Sequence, residues 1–216
     1  GTTSRTFQSA FANLMTASEP WGIEVGDFDN DGNLDLVAGS RKNSGILLFK
    51  GKGDGSFVSP PSTYNITGYT VALAAVDLDR NGNLDLLAVS FNSGIPEFYL
   101  HVIHGNGAGS LTEKSHIALP SFSGTYPDLA VADFNGDKIP DVLVSNPANG
   151  TISVILGNST GIPTKEDSSV TGSMAPGPLA VGDFDGDGAI DFAVSGIDGI
   201  AIAKGDGKGM FASATS

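Results

Sequence analysis

The stretch GDFDNDGNLDLVAGS at residues 26–40 recurs three more times along the chain. The other copies read VDLDRNGNLDLLAVS at 76–90, ADFNGDKIPDVLVSN at 132–146 and GDFDGDGAIDFAVSG at 182–196. Their leading aspartates, Asp27, Asp77, Asp133 and Asp183, are spaced by 50, 56 and 50 residues. A glycine-rich turn follows each copy, in GILLFKGKGDGSF (45–57), YLHVIHGNGAGSL (99–111), SVILGNSTGIP (153–163) and GIAIAKGDGKGMF (199–211). Self-similarity at a fixed period of this length is the mark of a repeat architecture.

Within each repeat the apolar runs are short. They fall at 22–25, 71–76, 129–132 and 179–182 before the motif, and at 34–38, 84–89, 142–144 and 190–194 after it. A third set at 46–49, 98–104, 152–156 and 200–203 precedes the glycine turn, and a less regular fourth follows it at 57–64 and 111–119. Runs of this length, aliphatic or β-branched and bounded by Gly, Asn, Asp or Ser, are strands. Helical periodicity is absent, and 30 glycines in 216 residues would penalise any helix. Four strands per repeat predict an all-β fold, a β-propeller of four four-stranded blades. The chain then reads as one domain over residues 1–216, with repeats at about 16–65, 66–119, 120–170 and 171–216. A strand at 5–15 would complete the last blade and close a four-bladed ring; otherwise the four repeats belong to a larger ring or pair with a second copy.

The chemistry lies in the pattern D-x-[DN]-x-[DN]-x-x-x-D. It offers Asp27, Asp29, Asp31 and Asp35 in repeat 1, and Asp77, Asp79, Asn81 and Asp85 in repeat 2. Repeat 3 supplies Asp133, Asn135, Asp137 and Asp141; repeat 4 supplies Asp183, Asp185, Asp187 and Asp191. Three or four carboxylates within nine residues repel one another unless a cation joins them. Calcium takes six to eight hard oxygens with flexible geometry, whereas magnesium demands a stricter octahedron and ranks second. Glycine at position 6 (Gly32, Gly82, Gly188) permits the turn that returns position 9 to the ion, and Lys138 in repeat 3 calls for another backbone route. By analogy with other Asp-rich loops, the carbonyl at position 7 (Asn33, Asn83, Ile139, Ala189) completes the shell. Up to four Ca²⁺ ions are expected, held more tightly in repeats 1 and 4, which have four carboxylates each. An EF-hand is excluded, because Ala38, Ala88, Val144 and Val194 stand where it needs Glu and the flanks are strands.

The DFDxDGxxDL loops, each followed by a strand and a G-x-G-x-G-x-F turn, resemble the FG-GAP/VCBS repeats of integrin-α-type propellers. That resemblance implies a calcium ion in the loop between the first two strands of each blade. It also implies an extracellular or cell-surface setting and use as an adhesion or carbohydrate-recognition scaffold. Complete propellers of that family resemble seven-bladed rings, whereas four repeats fit here.

Composition limits the partners. With 24 acidic against 11 basic residues the formal net charge is −13, which repels nucleic acid and anionic membrane. Fourteen of the acidic residues lie in the four loops, so four Ca²⁺ would bring the charge to about −5. Cysteine is absent, which excludes thiol catalysis, Cys-ligated zinc and iron–sulfur chemistry. No apolar run is long enough to cross a bilayer as a helix. No G-x-S-x-G elbow or Walker A loop is found, and His101 and His104, three residues apart on a strand, face opposite sides. The expectation is therefore a non-enzymatic module with a glycan or extracellular protein as partner, and a homodimer if the ring is incomplete. The alternatives are a propeller segment of a secreted polysaccharide-degrading enzyme and a structural spacer in a surface protein. Trp21, Tyr69 and Tyr126, six to eight residues ahead of their motif aspartates, are the expected ligand-stacking rings.

Overall fold

The computed structural model describes residues 19–41, 45–119, 126–163, 168–171, 175–197 and 199–213. They form fifteen strands and no helix. The first sheet contains β1 (Pro20–Gly26), β2 (Asp35–Ser40), β3 (Ile46–Phe49) and β4 (Ser62–Tyr64). The second contains β5 (Tyr69–Val76), β6 (Asp85–Asn92), β7 (Glu97–Gly105) and β8 (Leu111–Leu119). The third contains β9 (Leu129–Ala132), β10 (Asp141–Asn146), β11 (Thr151–Ile155) and β12 (Ser168–Thr171), and the fourth β13 (Leu179–Gly182), β14 (Asp191–Gly196) and β15 (Gly199–Ala203). Every sheet is an antiparallel meander in chain order. The aspartate loop always joins the first strand to the second, and the glycine turn follows the third.

Strand boundaries shift from the sequence reading where local chemistry dictates. Only the last three residues of the 57–64 run pair as β4, because Pro60 and Pro61 have no N–H for a ladder. The strand expected at 5–15 lies outside the described residues, so the fourth sheet is described with three strands.

The sheets stack face to face. Phe28, Val37, Ile46 and Leu48 of repeat 1 pack on Leu73, Leu86, Ala88 and Ile103 of repeat 2. Leu87, Val89, Leu100 and Val102 on the opposite face meet Leu129, Val142, Val144 and Ile155 of repeat 3. Leu143, Ile152 and Val154 then meet Phe192, Val194, Ala201 and Ala203 of repeat 4. Alternate residues of one strand therefore enter different cores, which explains why the inner strands read as continuous apolar runs. Burial on both faces, at about 25 cal/mol per Å² of apolar surface, is the main force holding the repeats in register.

One side chain of each loop plugs the neighbouring interface. Position 2 is buried as Phe28, Leu78 and Phe134, each about 1 % exposed, but Phe184 of the last repeat is 50 % exposed. At the other end, Leu34 is 66 % exposed, whereas its counterparts Leu84 and Ile190 pack into the cores between repeats. A four-bladed ring closed on itself would cover Leu34 and Phe184. The described residues instead form a row of four propeller-like sheets whose first and last faces carry bare apolar side chains, among them Ile23, Val25, Ile200 and Ile202. Four-bladed closure is not seen among them.

Candidate metal centres

Each aspartate loop is wound around its own backbone N–H groups. In repeat 1, Asp27 accepts the N–H groups of Asp31 and Gly32 (3.1 and 2.9 Å), and Asp31 accepts that of Asn33 (2.8 Å). The position-1 pattern recurs on Asp77, Asp133 and Asp183. Position 5 likewise holds the N–H of position 7, through Asn81 to Asn83, Asp137 to Ile139 and Asp187 to Ala189. Two left-handed residues make this curl possible. Position 6 has φ of 85°, 86°, 69° and 91° at Gly32, Gly82, Lys138 and Gly188, and position 4 has 56°, 62°, 77° and 78° at Asn30, Arg80, Gly136 and Gly186.

Repeat 3 therefore needs no other backbone route, contrary to the sequence reading. Lys138 adopts the glycine conformation, and its N–H reaches Asp133 at 2.8 Å as glycine does elsewhere. A side chain there carries roughly 1–2 kcal/mol of left-handed strain, partly offset by the greater freedom of glycine in the unfolded chain. Lys138→Gly should raise stability by about 0.5–1 kcal/mol in a urea titration; an unchanged or lower midpoint would refute it.

Position 9 has a second duty. Asp35 accepts the N–H of Phe28 on one oxygen and of Gly51 on the other (2.9 and 2.8 Å). Asp85 does the same for Leu78 and Gly105, Asp141 for Phe134 and Gly157, and Asp191 for Phe184 and Gly205. All four are about 1 % exposed or less. They staple the aspartate loop to the glycine turn of the same repeat. The glycine is obligatory, because a Cβ on Gly51, Gly105, Gly157 or Gly205 would collide with the carbonyl of Leu34, Leu84, Pro140 or Ile190. Burial pushes the carboxyls of Asp35, Asp85 and Asp141 above the usual aspartate range, against the two backbone N–H bonds that each accepts.

The remaining carboxylates converge on this staple. In repeat 1, an oxygen from each of Asp27, Asp29 and Asp35 lies within 4.8 Å of the others, and in repeat 4 Asp183, Asp185 and Asp191 do the same. In repeat 2 the corresponding group is Asp79, Asp85 and His104. Asp31, Asn81, Asp137 and Asp187 stand at the loop tips, bonded to the position-7 N–H groups. The fit to a hard cation rests on one atom above all: Asp29 Oδ1 is buried and has no hydrogen-bond partner. An unpartnered carboxylate oxygen inside a carboxylate cluster is suited to ligate a hard cation.

A feature absent from the sequence reading is the basic residue facing position 3. Lys50 pairs with Asp29 and Lys204 with Asp185, both at 2.9 Å, and His104 lies 3.7 Å from Asp79. Hydrogen bonding to those aspartates raises both lysine pKa values, and Lys204 holds the Asp185 carboxyl below its usual range. These residues occupy one repeat position, just before the turn glycine. Repeat 3 has Leu156 there, opposite the neutral Asn135. Charge at one position thus answers charge at the other, a signal legible by aligning the repeats.

Two of the three expected ligand rings come together. Trp21, 44 % exposed, lies 6.2 Å from Tyr126 between ring centres, tilted by 54°. Arg41 stacks on both, 4.7 and 4.8 Å from the ring centres, and donates to the Tyr126 hydroxyl at 2.5 Å. Tyr69 instead bonds the Ser93 hydroxyl at 3.1 Å.

The family model described as FG-GAP-like repeat matches residues 27–88, 89–144 and 133–194. Human cartilage acidic protein 1 is 28 % identical over 191 residues, covering 81 % of this chain and 28 % of the relative. Phosphatidylinositol-glycan-specific phospholipase D of Rattus norvegicus is 28 % identical over 183 residues, covering 69 % of this chain and 21 % of that protein. The chain thus spans less than a third of the length of these relatives. Among solved structures, an Agrocybe aegerita lectin specific for non-reducing terminal N-acetylglucosamine aligns over 90 % of this chain and 65 % of its own, with 17 % identity and a TM-score of 0.42. The V. cholerae biofilm matrix protein Bap1 aligns over 92 % of this chain and 30 % of its own, with 19 % identity and a TM-score of 0.47. No helix among the described residues is long and apolar enough to cross a membrane.

Proposed function

The chain belongs to the FG-GAP-like repeat family, and from that premise we propose that it is a calcium-binding, extracellular recognition module without catalytic activity of its own. The observation that carries the calcium reading is the convergence of Asp27, Asp29 and Asp35 around a buried, unpartnered Asp29 oxygen. Asp183, Asp185 and Asp191 also converge at the other end of the row. Asp77, Asp79 and Asp85 in repeat 2, and Asp133, Asn135, Asp137 and Asp141 in repeat 3, would hold the remaining ions. When bound, the ion supplies positive charge that cancels carboxylate repulsion; it has no reaction to perform here. The chain's own groups fix the loop: position 1 gathers the tip, position 9 anchors it, and Lys50 and Lys204 offset part of the charge. Millimolar calcium outside cells would fill sites with dissociation constants on the order of 10⁻⁴–10⁻³ M.

The recognition surface is the Trp21–Arg41–Tyr126 cluster. Two rings with a guanidinium between them offer flat apolar faces and fixed donors, the combination that suits a sugar ring. An extracellular glycan is the proposed partner; nucleic acid and membrane are disfavoured by the net charge. The test is binding of the calcium-loaded chain to an array of immobilised glycans. At least one glycan class should be retained, and Trp21→Ala should weaken it roughly tenfold, since an aromatic stack contributes about 0.5–1.5 kcal/mol beyond burial. Absence of any glycan binding, or identical binding by the variant, would remove this surface from the proposal.

A further inference from the structure

The second sheet carries a cluster of nitrogen and oxygen ligands that the aspartate loops do not use. His101 on β7 and His116 on β8 are directly opposed cross-strand partners. Regular alternation would send Glu113, three residues from His116, to the other face of the sheet. A register shift intervenes: Val102 pairs with Ser115 but Ile103 pairs with Glu113, leaving Lys114 as the extra residue of a bulge. The bulge re-aims Glu113 onto the histidine face, a recurrent use of such irregularities. Its Oε1 lies 2.8 Å from His101 Nδ1 and 3.2 Å from His116 Nδ1. The His101 side chain is 1 % exposed, Glu113 32 % and His116 55 %, so the cluster has one buried wall and one open side.

The surroundings of His101 hold its ring in one orientation. Ser90 Oγ donates to the Thr67 carbonyl at 2.6 Å and lies 2.7 Å from His101 Nε2, an oxygen fixed beside the far nitrogen of the ring. Nδ1 is thereby aimed at the Glu113 carboxylate, and the ligand atoms of His101, Glu113 and His116 all lie within 4.8 Å of one another. A histidine with an oriented oxygen at its far nitrogen and a carboxylate at the near one has the arrangement of a metal ligand with its outer-shell partner.

We infer that His101 Nδ1, Glu113 Oε1 and His116 Nδ1 form a binding site for a zinc-class transition-metal ion, distinct from the four calcium loops. Two imidazoles and one carboxylate suit zinc rather than calcium or magnesium, which take oxygen ligands. Tetrahedral bonds of about 2.0–2.2 Å put neighbouring ligands roughly 3.3 Å apart, so the 2.8 and 3.2 Å separations need to open by only a few tenths of an ångström. The open side leaves the fourth position to water or to a group from a partner. Such an ion would tie β7 to the edge strand β8 across the bulge. Ser90, fully buried and facing His101, serves as the outer-shell partner, not as a nucleophile.

The experiment is a Zn²⁺ titration by calorimetry of the intact chain in excess calcium, with Co²⁺ absorption as a second readout. One zinc equivalent should bind, and Co²⁺ should give the intense visible bands of a four-coordinate site. His116→Ala and Glu113→Gln alter exposed or half-exposed side chains. Each should weaken zinc by more than about tenfold, the loss typical even of outer-shell partners, while leaving the calcium response unchanged. No zinc binding in excess calcium, or equal binding by both variants, would overturn the site; the latter would place zinc in the aspartate loops.

Discussion

Asp85→Ala should destabilise the chain by about 3–5 kcal/mol, measured in chelator so that lost metal binding does not contribute. The reason is bookkeeping of donors. Asp85 is fully buried, and its two oxygens take the Leu78 and Gly105 N–H groups at 2.9 Å each. Truncation strands both donors in a dry interface, at roughly 1–3 kcal/mol each, and opens a small void beside Leu78. Asp85→Asn keeps one accepting oxygen and should cost about 1–3 kcal/mol, falling between wild type and Ala. At about 2–4 °C per kcal/mol for a chain of this size, the alanine variant should melt roughly 10 °C lower. By contrast Asp31→Ala, at an exposed loop tip, should change the chelated melt by no more than a few degrees. An Asp85→Ala variant that melts with wild type would mean that the staple does not hold the repeat together.

The staple also marks where sequence reading reaches and where it stops. The repeat, the strand order and the loop position follow from a period and from alternating apolar runs, both local properties of the chain. The dual role of position 9 does not. Its second partner, the turn glycine, lies 14 to 20 residues away, and nothing about an aspartate says whether it faces an ion or a backbone donor. Lys138 misled in the opposite sense, because a lysine can adopt the left-handed conformation when Asp133 holds its N–H. Closure is not legible in the sequence, which admits a closed four-bladed ring and part of a larger one alike, because Leu34 and Phe184 look like any core residue until the structure leaves them uncovered. Glu113 was hidden by a one-residue bulge, since period-2 alternation assigns it to the wrong face. Of the three aromatics, Trp21 and Tyr126 meet while Tyr69 does not, a matter of tertiary placement that equal spacing cannot decide.

The largest effect expected is that of calcium itself. At concentrations ten- to a hundredfold above the dissociation constant, each ion adds roughly 1.4–2.7 kcal/mol to the native state. Four sites would add up to about 10 kcal/mol, and at about 2–4 °C per kcal/mol the melting temperature should rise by more than 10 °C. The structure alters the ranking of sites expected from carboxylate number alone. Repeats 1 and 4 have four acidic groups, but Lys50 and Lys204 each neutralise one. Repeat 3 has three, and Leu156 and Asn135 stand where the other repeats have that pair. Those lysines thus partly offset the extra carboxylate of repeats 1 and 4. Lys50→Ala should tighten the repeat 1 site, since Asp29 is then free to ligate with both oxygens.

The most direct test is therefore a calcium titration of the chelator-stripped chain, following heat of binding and thermal unfolding together, with magnesium at equal ionic strength as control. The account predicts up to four bound Ca²⁺, saturation in the millimolar range, a melting temperature raised by more than 10 °C, and a much smaller response to Mg²⁺. Coincident melts with and without calcium, and no heat of binding, would contradict it.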